Sequence, residues 1–343
     1  MNKMAKNYIF VKNNQYGGAR CKLNNSFFKL LFLFIFLNLI SFASFGAKCS
    51  WDGKDTLTID STDGESVEST DLYNVISEGY GVQNVKTIII KNGVTSIGNN
   101  AFSDCSNLTE VTIPASVTSI GTGAFNGCRN LETVNFEEGS EESASNSKPI
   151  GDDAFNGCNK LTTITIPARF TSINKGAFCN CTNLKTVNFE EGSNLQQIGE
   201  NAFSSCSNLT EVTIPASVTE IGGRAFNYCT NLKTVNFEEG SNLQQIGENA
   251  FSFCSNLIEI TIPAKVEGMG NEAFNSCSSL ETVTFKEGSK LRKIGDGTFG
   301  SCSNLTEVTI PASVTEIGGM AFNYCINLET VNFEESSKLG SIG

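Results

Sequence analysis

From about residue 85 the chain repeats one order of apolar and polar positions. One copy runs Leu108-x-x-Val111-x-Ile113-Pro114, then Val117-x-x-Ile120-Gly121, then Ala124-Phe125-x-x-Cys128. Apolar residues two apart at Val111 and Ile113 predict a short strand with one face buried and the other in solvent. Proline cannot donate to a ladder, so Pro114, Pro167, Pro215, Pro263 and Pro311 end that strand at a corner. Val117 to Ile120 reads as a second, shorter strand. The glycine after it is replaced in one copy by Asn174, which predicts a left-handed turn position. Ala-Phe-x-x-Cys reads as a tight helical turn that carries Phe and Cys into the core.

The cysteine marks every copy: Cys105, Cys128, Cys158, Cys181, Cys206, Cys229, Cys254, Cys277, Cys302 and Cys325 lie 23, 30, 23, 25, 23, 25, 23, 25 and 23 residues apart. A period of 20 to 29 residues is that of leucine-rich-repeat solenoids, in which a unit too small to bury its own apolar face stacks on its neighbours. The fold class is therefore a right-handed, predominantly β solenoid of about ten coils in alternating 23- and 25-residue repeats, with parallel strands and short helical turns. Residues 101 to 343 should contribute ten parallel strands to one sheet. Copies alternate between Leu-x-x-Val-x-Ile-Pro and Leu-x-x-Val-x-Phe-Glu-Glu-Gly-Ser, so the duplicated unit is two coils. The long interval holds a polar insertion around Glu141 to Pro149, expected as a surface loop.

Fifteen of the 25 phenylalanines fall in two columns, Phe102 to Phe322 and Phe136 to Phe333, and both are expected as stacked core. The cysteine column is expected as buried free thiols. Zinc sites use close ligand pairs, commonly with histidine, and the chain has no histidine and one short pair, Cys179 and Cys181. Cys49 and Cys179 lie outside the column, and Cys179 is the candidate for an exposed, reactive thiol.

Residues 1–51 hold seven Lys or Arg and no acid, and Leu30 to Ile40 is an apolar run of signal-peptide length after Lys29. Residues 1–46 are read as a cleaved signal peptide or, alternatively, a signal anchor, which is the one route to a membrane. Residues 47–96 are read as an N-terminal cap, with Trp51 to Ile59 as its first strand and Leu72 to Ile76 over the open coil. Residues 97–343 are the solenoid, whose sequence stops where a further Ala-Phe is due; a truncation, or a cap supplied by a partner, is expected there. The net charge of −12 argues against nucleic acid as a partner. Acidic pairs recur at one corner: Glu137-Glu138, Glu190-Glu191, Glu238-Glu239 and Glu334-Glu335. They are read as a solvated edge, with calcium binding as the alternative.

Ile113-Pro114-Ala115-Ser116-Val117-Thr118-Ser119-Ile120-Gly121-Thr122-Gly123-Ala124-Phe125-Asn126-Gly127-Cys128 closely resembles the repeat of the BspA-like leucine-rich-repeat family, and the likeness runs from about residue 85 to 343. That resemblance implies a cell-surface or secreted protein that adheres to host extracellular-matrix proteins or joins cells. It implies no catalytic residue and no cofactor. Met269 before the glycine and Thr298 in place of Ala depart from the pattern.

The absence of histidine excludes imidazole-based triads, and the glutamates are repeated copies, so no unique catalytic pair stands out. The candidate partner-binding residues are the outward positions of the first strand: Thr109, Glu110, Thr112, Glu132, Asn135, Lys185, Asn188, Glu211, Thr213, Lys233, Asn236, Glu259, Thr261, Glu281, Thr284, Glu307, Thr309, Glu329 and Asn332. Polar stripes of this kind suit many weak contacts along an extended protein. Self-association and glycan binding are the alternatives. The sequons at Asn107, Asn208 and Asn304 coincide with the repeat's own Asn-Leu.

Overall fold

The computed structural model describes residues 48–52, 54–60, 66–67, 84–138 and 149–343. The expected signal segment, the segment Leu72 to Ile76 and most of the insertion lie outside these residues. Each coil has three walls. Four-residue strands from Thr87–Ile90 to Thr330–Phe333 form the first wall, and two-residue strands from Ser96–Ile97 to Ser341–Ile342 form the second. Both walls pair in parallel, coil on coil.

The third wall is built of turns, and no α-helix occurs among the described residues. Its backbone hydrogen bonds alternate. Gly123 N, Phe125 N and Gly127 N donate to Asp152 O, Ala154 O and Asn156 O of the next coil at 2.7, 2.7 and 2.8 Å. Between them, Ala124 N, Asn126 N and Cys128 N close turns onto Gly121 O, Gly123 O and Phe125 O. The expected helical turn is thus replaced by linked β-turns, because every second N–H is directed to the neighbouring coil. In the turns from Gly121 to Ala124 and from Phe125 to Cys128 the third residue has a positive φ, which Gly123 and Gly127 supply at +62° and +73°.

The glycine that follows the short strand has another cause. Gly121, Gly222 and Gly247 are not left-handed, and neither is Asn174, so the expected turn position is corrected. A Cβ on Gly247 would stand 2.5 Å from Gly223 N and 2.6 Å from Gly222 C of the preceding coil. Close backbone approach excludes the side chain there.

Inside the walls, the rings from Phe102 to Phe322 form one stack with centroids 5.0 to 5.6 Å apart, within 12° of parallel except for Phe102 on Phe125 at 22°. Each fully buried ring contributes roughly 2–3 kcal/mol of transfer free energy. The second phenylalanine column is rim, not core: Phe136, Phe189, Phe237 and Phe285 are half-buried against the core and Phe333 is exposed. Column cysteines do more than fill space. The Cys229 thiol lies 3.3 Å from Phe203 O and donates to it, and the bond recurs from Cys128 on Phe102 O to Cys325 on Phe299 O. A small apolar side chain with a weak donor fits that position.

The strand wall is split, against the expectation of one sheet. Thr133–Phe136 closes a five-stranded sheet, and Thr163–Ile166 opens an eight-stranded one. The second wall stays bridged through Ile150, which pairs with Ile120 and Ile173. The cause is local. Coils with an uninterrupted acidic corner carry a leucine five residues after the first Glu, Leu195 or Leu243, and the insertion removes it from the coil of Glu137. The next coil answers with Arg169 and Phe170 where others have Ser217 and Val218. Phe170 packs edge-on to Phe136 at 5.7 Å, and the buried Arg169 donates from Nε to Val117 O at 3.0 Å and from Nη1 to Glu137 O at 3.3 Å. Its guanidinium stands over both rings, 5.6 Å from Phe136 and 5.3 Å from Phe170.

At the N-terminal end, the expected single strand from Trp51 to Ile59 is two. Lys48–Trp51 runs antiparallel to Thr56–Asp60. Asp52 forces the reversal, because its Oδ1 accepts the N–H groups of Lys54, Asp55 and Thr56 at 2.8, 3.1 and 3.1 Å.

Candidate interaction surface

The strand alternation that sends Val111 and Ile113 inward sends Glu110 and Thr112 outward. Register then sorts the candidate residues into columns. Glu110 faces Thr133 and Thr112 faces Asn135; Glu211 faces Thr234 and Thr213 faces Asn236. Glu259 with Thr261, and Glu307 with Thr309, continue the two columns toward Thr284 and Asn332. Asn188 faces Thr165 in the second column. A third column, one residue before the strands, carries Thr109, Glu132, Lys185, Lys233, Glu281 and Glu329.

All the candidate side chains lie on this wall, exposed except for the half-buried Thr109 and Thr112. Few are tied to one another. Asn135 Nδ2 donates to Glu110 Oε1 at 2.8 Å, and Glu132 meets Lys160 across the split at 3.5 Å. Lys185 and Lys233 enter no ion pair among the described residues, whereas Lys86, Lys91, Lys175 and Lys293 do.

The acidic corner has a structural half. Proline ends the strand and leaves the next N–H without a ladder partner. Glu190 Oε2 accepts Ala168 N at 2.9 Å, Glu238 Oε2 accepts Ala216 N at 2.8 Å, and Glu334 Oε2 accepts Ala312 N at 2.9 Å. The second glutamate of each pair is exposed, as a solvated edge would have it, while Glu190, Glu238 and Glu334 also serve the fold. Among the described residues no group of three or more His, Cys, Asp or Glu is arranged to hold a metal ion.

The thiols are not built for nucleophilic chemistry. Burial raises the thiols of Cys229, Cys254 and Cys277 far above their ordinary range, with Cys277 pushed up to about 12. Cys179 is half-buried, and burial together with the Asp153 carboxylate pushes its thiol up as well, so it is not the activated group its off-column place suggested. Cys49 lies in the first strand, and its side chain is outside the described residues. The Asn208 sequon is also structural. Its Nδ2 donates to Thr182 O at 2.8 Å and approaches Asn183 Oδ1 at 3.3 Å, and Asn231 and Asn256 extend the ladder.

One cluster escaped the column reading. Tyr228 and Phe253 stack at 4.5 Å on the outside of the turn wall, and Ile258 is exposed beside the strand wall in the same two coils. The signal was present: these columns hold Asp104, Gly127, Asn180 or Ser205 in earlier coils and a second tyrosine, Tyr324, in the last, and Thr210 or Thr306 in place of Ile258.

Strand wall, turn wall and repeat length together define a leucine-rich-repeat solenoid. The chain belongs to the BspA type leucine rich repeat family, whose repeat region matches residues 77–148, 142–242 and 239–342 in six copies. Among solved structures, the chain is similar to the pneumococcal vaccine antigen PcpA, with 22% identity over 87% of this chain and 82% of that one and a TM-score of 0.54. A leucine-rich repeat protein from Bacteroides ovatus shares 24% identity over 88% of this chain and 90% of that one, with a TM-score of 0.49. A leucine rich cell surface protein from Faecalibacterium prausnitzii shares 22% over 89% and 98%, with a TM-score of 0.45. At 22% identity the likeness to the pneumococcal antigen shows the fold alone. No curated protein matches the chain.

Proposed function

We propose that the protein is an exported, non-enzymatic binding solenoid that presents its strand wall at the cell surface to an extracellular protein, a host matrix protein being the expected partner. The observation that carries this reading is the strand wall itself. Its Thr, Asn, Glu and Lys side chains stand in register on parallel strands roughly 4.8 Å apart, and apart from Thr109, Glu110, Glu132 and Asn135 the candidate residues make no side-chain hydrogen bond or ion pair among the described residues. Family membership and the basic, apolar N-terminal run support surface display. Repeated weak polar contacts give affinity through multivalency, without a single deep pocket.

The test is binding of the purified protein to surfaces coated with individual matrix proteins at two salt concentrations. Lys185→Glu with Lys233→Glu should weaken binding roughly fivefold, the worth of two exposed charge contacts of about 0.5 kcal/mol each. Glu191→Gln with Glu239→Gln, on the corner, should leave it unchanged. The reverse ranking moves the site to the corner, and no binding to any matrix protein refutes the reading in favour of a structural or glycan-binding role.

A further inference from the structure

Before the final coil, the large apolar side chains exposed among the described residues are Ile89, Tyr228, Phe253 and Ile258. Three of these four sit in two adjacent coils at mid-solenoid, those of Cys229 and Cys254. Tyr228 is 47% exposed, Phe253 38% and Ile258 45%, so none is a core residue that happens to reach the surface. The two rings are parallel within 2° and 4.5 Å apart, so they form one rigid apolar ridge.

The backbone beneath the ridge is strained. Tyr228 has φ of 59° and Phe253 of 61°, in the left-handed region that bulky residues rarely adopt. The other coils before the last place glycine, asparagine, aspartate or serine there, all smaller, and the last coil repeats the aromatic choice with Tyr324 at φ of 57°. No packing requirement inside the solenoid explains the aromatic choice, because both side chains point away from the core. Strain held by exposed aromatics is the pattern of a binding site.

Charge names the occupant. Arg224 is exposed on the same wall four residues before Tyr228, and Lys233 is exposed five residues after it, around the asparagine corner. Neither enters an ion pair among the described residues, in a chain of net charge −12. Lys233 stands in the coil next to Ile258, whose N–H donates to Lys233 O at 3.3 Å, and unpaired cations on coils that expose apolar side chains complement carboxylates set among apolar side chains. We infer that Tyr228, Phe253 and Ile258, flanked by Arg224 and Lys233, form the anchor of the interaction surface and take an acidic segment of a partner protein that carries aromatic or aliphatic side chains between its carboxylates. This rests on the reading of the molecule as a protein-binding solenoid and deepens it.

The test is selection of a displayed random dodecapeptide library on the folded full-length protein, with winners measured as soluble labelled peptides. The comparison protein is Tyr228→Asn, Phe253→Asn, Ile258→Thr, which installs residues that other coils already carry. Expected winners are rich in Asp or Glu interleaved with Leu, Phe or Trp, bind the triple variant at least tenfold more weakly, and lose affinity with salt. The variant's melting temperature should be equal or higher, since asparagine tolerates the left-handed backbone. If its melting temperature falls instead, Arg224→Glu with Lys233→Glu keeps the rings in place and must show the same tenfold loss. Basic winners, or winners that ignore both variants, overturn the site while leaving a protein-binding solenoid intact. A library without any binder counts against both readings. Sugars captured on a glycan array and lost in the triple variant replace the peptide occupant with a carbohydrate and also overturn the proposal.

Discussion

Replacing Gly247 by alanine separates two causes for a recurring glycine. The new Cβ would lie 2.5 Å from Gly223 N, 2.6 Å from Gly222 C and 2.9 Å from Gly223 Cα, all backbone atoms of the preceding coil. Relief requires the two coils to part by most of an ångström. That movement lengthens the bond from Gly247 N to Ile221 O, now 2.8 Å, and disturbs the pairing of Ile221 with Ile246. Forced overpacking costs about 1–3 kcal/mol and one weakened backbone bond about 1 kcal/mol, so the substitution should cost roughly 2–4 kcal/mol. Gly240 is the control. Its φ is +77° and nothing lies within 4 Å of its missing Cβ, so alanine there meets only left-handed strain of about 1–2 kcal/mol.

Asparagine makes the comparison decisive. At Gly240 it should recover most of the alanine penalty, because its side chain tolerates positive φ. At Gly247 it brings the same Cβ to the same backbone atoms and should be no better than alanine. Guanidinium unfolding followed by far-ultraviolet circular dichroism gives both comparisons. Recovery by Gly247→Asn to within about 0.5 kcal/mol of the parent would refute close approach and restore the left-handed explanation.

The buried thiols should make the fold sensitive to alkali. An unfolded thiol ionises near 9.0 while that of Cys277 holds its proton to about 12, so above pH 9 the unfolded chain binds fewer protons and stability falls. Each such thiol removes about 1.4 kcal/mol by pH 10 and nothing near pH 7. Cys277→Ala should flatten the loss between pH 9 and 10.5, and an unchanged slope in urea titrations would contradict the assignment. Arg169→Ala should cost about 2–4 kcal/mol by removing a buried side chain and stranding Val117 O and Glu137 O, whereas Arg169→Met, which strands the same carbonyls but keeps the volume and discards the unpaired Nη2, should cost less in the same assay.

Periodicity exposed most of the fold, because every inward column repeats and a repeat has one consistent way to stack. The Phe102 to Phe322 stack and the strand pairing follow from spacing alone. Three features did not, each for a physical reason. Absence of a side chain has two causes in a folded chain, positive φ and close approach; Gly121 fitted either, and Asn174 in the same column pointed to positive φ, which neither residue adopts. The Ala-Phe-x-x-Cys segment looked helical because helical and linked β-turns share i to i+3 closure, and only the alternate N–H groups, directed to the next coil, tell them apart. The split at Thr133–Phe136 depends on a leucine that the insertion removes, and on Arg169 reaching Val117 O from 52 residues away. Of the candidate surface, the three outward columns were legible as alternation, while the ridge of Tyr228 and Phe253 was hidden by its place on the turn wall.

Departures from the repeat are of two physical kinds, and the difference bears on function. Arg169 and Phe170 depart together, beside an insertion that deletes a core leucine, and each fills what the other change emptied. Such a pair restores the fold and asks for no ligand. Tyr228, Phe253 and Ile258 depart with no matching change inward: the rings of the core stack run on through Phe226 and Phe251 at 5.1 Å and the thiol bond of Cys254 to Phe226 O persists at 3.3 Å. The exposed ring pair therefore adds backbone strain and apolar surface without repairing anything beneath it. In a solenoid whose inward columns are held by backbone contact between coils, an uncompensated outward change is where selection for binding can act without disturbing the stack.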